Sequence, residues 1–123
     1  MSTLKADTIQ NTSGGAVTLT KQHAAKGWFN YDNSGTAAIR DSFNFSGLTD
    51  DGTGQATLSY TNNMSNENYA SSAINNYKSG LAHSVYLENE PPKTSTIKYR
   101  TNRIGTGDVN HEYVIGSVHG DLA

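Results

Sequence analysis

Apolar and polar residues alternate with period two along most of this chain, and no segment carries the 3.6-residue stripe of an amphipathic helix. In "AAKGWFNY" the alternation sets Lys26, Trp28 and Asn30 on one side and Gly27, Phe29 and Tyr31 on the other. "TAAIRDSFNF" reads as one strand with Ala37, Ile39, Phe43 and Phe45 in its apolar set and Asp41 interrupting it. "QATLSYT" alternates Ala56, Leu58 and Tyr60, and "TSTIKYRT" places Ile97 and Tyr99 opposite Lys98 and Arg100. "GLAHSVYLE" puts Leu81, Val85 and Leu87 on one face with His83 among them. "DVNHEYVIGSVHG" has bulky residues on both faces, which predicts a central strand buried on both sides. "NYASSAINN" is the weakest run, with Tyr69 and Ile74 as its only bulky residues.

The runs are punctuated by hairpin chemistry. "DNSG", "DDGTG", "NNYKSG" and "IGTGD" supply residues that tolerate positive φ, while Pro91 and Pro92 in "NEPPK" remove ladder donors and end a strand. About seven short strands so spaced predict an all-β fold, an antiparallel β-sandwich or jelly-roll-like domain over residues 23–123. Residues 1–22 hold two short extended runs around Ser13-Gly14-Gly15, too meagre to fold alone. They are expected to form an N-terminal attachment arm whose apolar contacts are Leu4, Ile9, Val17 and Leu19.

Composition sharpens this picture. Asn, Thr, Ser and Gly make up 52 of the 123 residues, and charged residues only 16%, which gives a neutral polar surface. Leu, Ile, Val and Phe total 21, a thin core for a domain of this size. With no Cys to form disulfides, association of several copies is the expected remedy. A net charge of -2 without a basic cluster argues against nucleic-acid binding. No signal-peptide or transmembrane run is present, so a protein made in the cytoplasm, neither secreted nor inserted in a membrane, is expected.

The chemistry-bearing residues form no motif. His23, His83, His111 and His119 make no His-x-His or His-x-x-x-His pair, and His83 and His111 read as structural histidines on strand faces. No Ser sits on a nucleophile elbow, and the acidic residues stand in turns or singly on strands rather than as a groove pair. "DDGTG" lacks the alternating oxygen ligands of a calcium loop and reads as a hairpin turn, with ion binding the minor alternative. No catalytic residue, metal site or cofactor is expected. Trp28 reads as a core or subunit-interface anchor in preference to a sugar-stacking platform.

Several stretches resemble a family. "DTIQNTSGGAVTLT" (7–20), then Lys26, Trp28, Asn30 and Tyr31, Ile39 to Ser42 with Asn44, Asp50 with Gly52 to Gly54, and the closing "GDLA" resemble short virion proteins of tailed bacteriophages. These are tail-fibre-like proteins, found especially in phages of marine bacteria and cyanobacteria. Residues 62–107 match that family only in strand-turn rhythm. The resemblance implies a non-catalytic virion component, homotrimeric, joined to other virion proteins by its N-terminal arm. A tail-fibre or tail-tip role in host attachment is the first expectation, and a head fibre, capsid decoration protein or tail adaptor the alternative. Contact with a host-surface glycan or protein is then expected in the loops least like the family, at Tyr77, Lys78, Asn89, Pro91 and Pro92, on the end of the sandwich far from the arm.

Overall fold

The alternation does build strands. The structure, a computed structural model, describes residues 12–14, 24–76, 83–87 and 90–123. Among them are nine strands and no helix: β1 (Gly27–Asp32), β2 (Ala38–Phe43), β3 (Phe45–Gly52), β4 (Gln55–Tyr60), β5 (Ala70–Asn75), β6 (His83–Leu87), β7 (Thr96–Arg103), β8 (Gly107–Asp108) and β9 (Val114–His119). One antiparallel sheet has the order β2-β1-β9-β5; the other runs β3-β4-β7-β6, with β8 on β7. Arm contacts assigned to Leu4, Ile9, Val17 and Leu19 lie outside the described residues, as do Tyr77, Lys78 and Asn89.

The two sheets pack face to face as a β-sandwich. Phe29, Tyr31, Val114 and Val118 come from the first sheet; Phe45, Ala56, Leu58, Tyr60, Ile97 and Tyr99 come from the second. These are the inward positions of the period-two pattern, so each strand buries one face at no cost in backbone geometry. Aromatic rings fill the middle. Phe29 lies 5.0 Å from Tyr99 across the sheets and meets Phe45 edge-on at 5.6 Å, while Phe45 stacks on Tyr60 at 4.8 Å. Large rings compensate for the scarcity of aliphatic residues, since each buries 150–250 Å2 or so.

Three expectations are corrected. The run 36–45 is not one strand. It breaks at Asn44, whose backbone is left-handed (φ 63°), and the chain passes from β2 in one sheet to β3 in the other. Asn44 holds this corner with its amide: Nδ2 donates to the Lys26 carbonyl (2.9 Å) and the Asn62 carbonyl (3.1 Å), and Oδ1 accepts from the Asn62 N–H (2.7 Å). Second, the run 109–119 supplies a strand only over Val114–His119. That strand is central in its sheet but buried on one face, with Ile115 exposed on the other. Third, Trp28 is not in the core. It is 40% exposed, because the same alternation that buries Phe29 and Tyr31 turns it outward.

The corner gives a direct expectation. Asn44→Ala should cost about 4–5 kcal/mol in urea unfolding, from roughly 1 kcal/mol for each of the three lost hydrogen bonds plus about 1–2 kcal/mol for Ala at positive φ. Asn44→Gly should recover the backbone part. Equal losses for the two would remove the backbone from the account.

Candidate functional site

Two rungs cross the outer face of the four-stranded sheet. Register places Phe43, Trp28, Ser117 and Ser72 side by side, and then Asp41, Asn30, Ile115 and Ile74. Their outward side chains include four large apolar groups left in solvent: Trp28 at 40%, Phe43 at 53%, Ile115 at 42% and Ile74 at 68%. Between β5 and β9 the small Ser72 and Ser117 flank Ile74 and Ile115, and a shallow open trough of about 310 Å3 runs there. Asp41 is the only charged member of the two rungs. Charges gather instead at the margin, where Arg40 pairs with Asp32 (2.7 Å), reaches Glu112 (3.6 Å) and lies 4.4 Å over the Tyr113 ring. Asp32 is held below the usual carboxylate range by the Ser34 backbone and hydroxyl hydrogen bonds, with Arg40 adding to the effect.

The outer face of the other sheet is of the opposite kind. Lys98 and Arg100 on β7 stand beside Thr57 and Gln55 on β4. Asp51 accepts from the Thr57 hydroxyl (2.6 Å) and lies 3.9 Å from the Lys98 ammonium. Arg100 grips Asp108 through two nitrogens, Nε at 2.8 Å and Nη2 at 2.6 Å, and these bonds hold Asp108 below its ordinary pKa. This is a solvated face. The contrast matters because an antiparallel sandwich ordinarily wets both outer faces, and the second face, where the exposed Tyr86 ring stands beside Arg100, is the more polar of the two.

The two ends of the sandwich are also distinct. The chain enters at 24–26, where Lys26 N–H donates to the Val118 carbonyl. Asn44 ties Lys26 to Asn62. Met64 N–H bonds Thr94, and Tyr60 N–H bonds Ser95. The segment holding Pro91 and Pro92 therefore stands at the entry end, and not at the far end expected of it. Asn76 and His83, which flank the connection containing Tyr77 and Lys78, belong to the opposite end, beside Tyr113 and His111. Antiparallel order dictates this, since the connections before and after β6 must leave from its two ends. The proline pair and the residues Asn76 and His83 thus stand at opposite ends of strands about 20 Å long.

At the far end His83 Nδ1 lies 3.1 Å from His111 Nε2, with the rings edge to face at 4.7 Å. His111 is fully buried, and its N–H donates to Asn33 Oδ1 (2.7 Å), itself buried. The pairing was invisible in the sequence, where the two residues are 28 apart; each was readable only as a polar residue on a strand face. Among the described residues no three His, Asp or Glu side chains converge as metal ligands would. "DDGTG" closes the β3–β4 hairpin with Gly52 and Gly54 at positive φ, and the Asp50 carboxylate caps the Gly52 N–H.

No family model, curated protein or solved structure matches this chain.

Proposed function

We propose that this protein is a structural component of a tailed-phage virion, a tail-fibre or tail-tip piece that assembles as a homotrimer and serves host attachment without catalysis. The observation that carries the reading is the unshielded outer face of the β2-β1-β9-β5 sheet. Contiguous exposed apolar surface on a small soluble domain marks an interaction site, and this face joins strands from both ends of the family-like sequence.

The placement of the resembling residues supports it as well. Tyr31 fills the core, Asn44 makes the corner between the sheets, and Gly52 to Gly54 close a hairpin. In "GDLA", Leu122 bridges to Met64 and the Asp121 carbonyl accepts from the Ser65 N–H. The shared motif is thus spent on the frame of a fold rather than on a cleft, as a building block requires. The described chain enters the domain, at residues 24–26, at the end that carries Pro91 and Pro92. In this reading that end faces the particle, Pro91 and Pro92 lie against it, and the host-facing end is the one flanked by Asn76 and His83, with Tyr77 and Lys78 as its contact residues.

Deleting residues 1–22 should leave the remaining protein folded, with an unchanged β-type circular dichroism spectrum, yet absent from purified particles. A truncated protein that still incorporates at the normal copy number would refute the attachment role. Full-length protein found at the head surface in averaged particle images would replace the tail assignment with a head fibre or decoration protein.

A further inference from the structure

We infer that the outer face of the β2-β1-β9-β5 sheet is the surface through which copies of this chain contact one another, with Trp28 near its centre. The inference locates the interface; it rests on the proposed function only for the number of copies.

Three observations choose a second copy as the occupant. The first is charge. Seven of the eight rung positions are uncharged, so two such faces meet without like-charge repulsion and offer nothing to an oppositely charged partner. The second is anatomy. Trp28 and Ile115 stand on the central strands β1 and β9, Phe43 and Ile74 extend the apolar surface to the edge strands, and Arg40, Asp32 and Glu112 gather at one margin, an apolar patch with charge at its border as in protein–protein contacts. The third is size. Four strands about 4.8 Å apart and about 20 Å long span about 400 Å2 in projection, at the small end of protein–protein contacts. A single sugar ring needs far less.

The sheet edges bear on how the copies meet. Of the two edge strands of this sheet, β2 carries Arg40, Asp41 and a bulge opposite Asn30 and Tyr31, devices that blunt an edge against strand addition. In face-to-face contact the trough beside Ser72 and Ser117 can receive a large side chain such as the partner's own aromatic group.

The test uses the full chain. Light scattering on the purified protein at micromolar concentration should give a multiple of the 13.2 kDa chain mass, threefold for the proposed trimer, with blue-shifted emission from Trp28, the one tryptophan. Ile115→Lys and Ile74→Lys change solvent-facing positions of the protomer, so each should keep the β-type circular dichroism spectrum. Their mass should fall to that of one chain, and Trp28 emission should shift to the red. Ser59→Lys on the opposite sheet should change neither. A wild-type monomer with solvated Trp28 emission would overturn the inference. So would lysine variants that stay folded and associated. A monomer whose Trp28 emission shifts on adding host-surface glycan would assign the face to carbohydrate instead. Incorporation into particles is read separately, so failure here leaves the virion role standing.

Discussion

Raising the pH above 10 should unfold this protein steeply. Tyr31, Tyr60 and Tyr99 all lie in the core, each at most 6% exposed, and burial pushes each phenol's pKa upward, to about 12 for Tyr99 and further for the other two. The neighbouring Tyr99 adds to the shift of Tyr31, and Tyr69 and Tyr99 add to that of Tyr60. An unfolded chain releases these protons near pH 10. The folded state keeps them, so above pH 10 it binds more protons than the unfolded state and its stability falls as pH rises. Below pH 10 the contribution is fully present. Each core tyrosine contributes a slope of about 1.4 kcal/mol per pH unit, so three give roughly 4 kcal/mol per unit between pH 10 and 12. Total stability of small domains is about 5–15 kcal/mol, and two units therefore suffice to exhaust much of it. Melting temperature measured from pH 8 to 12 should stay flat and then drop. The phenolate absorbance of the core rings should rise only together with loss of the β-type spectrum. Tyr31→Phe should reduce the slope by about a third. Core phenols that ionise while the spectrum stays native would contradict the packing described above.

The same residues show what the sequence makes legible. Alternation alone separates Phe29 and Tyr31 from Trp28, and Leu58 and Tyr60 from Ser59, because a strand offers only two faces and the core claims one. The hairpins at "DDGTG" and "IGTGD" are equally legible, since the positive φ of Gly52, Gly54, Gly105 and Gly107 favours glycine, and "DNSG" marks its turn by the Asp32 carboxylate that caps the Ser34 N–H. What alternation cannot say is whether the other face meets water. Trp28 reads as a core or subunit-interface anchor and Ile115 as part of a strand covered on both sides, but among the described residues nothing of the protomer covers the outer face of their sheet. The corner at Asn44 was hidden for a different reason. Its left-handed backbone is held by Lys26 and Asn62, each 18 residues away, so no local signal in "RDSFNFSG" marks the break. The meeting of His83 with His111, and the place of Pro91 and Pro92 at the entry end of the sandwich, likewise follow from strand order, which pattern reading does not fix.

Phe29 should be the least replaceable side chain of the core, and Gly116 its required partner. Phe29 is fully buried at the middle of the β1 strand, with the Tyr99, Phe45 and Tyr31 rings 5.0, 5.6 and 5.7 Å away. Register sets it opposite Gly116 on β9, and the ring edge lies over that glycine, where a Cβ would fall into the ring and stand 2.5 Å from the Ser72 carbonyl oxygen. Phe29→Ala empties this space and should cost about 3–5 kcal/mol, the range for large aromatic truncations. In a domain of this size that is a fall in melting temperature of more than about 10 °C. Gly116→Ala acts from the other side. The ring must leave its rotamer or the strands β9 and β5 must part, and overpacking of this kind costs about 1–3 kcal/mol or more. Because both substitutions act on one volume, their effects should not add. Phe29→Leu combined with Gly116→Ala should be less destabilised than the sum of the two, with the Ser72 carbonyl preventing full recovery. Chemical denaturation of the four proteins in the cycle decides this. Strict additivity, or a Gly116→Ala variant as stable as the parent, would mean that the ring does not rest on the glycine.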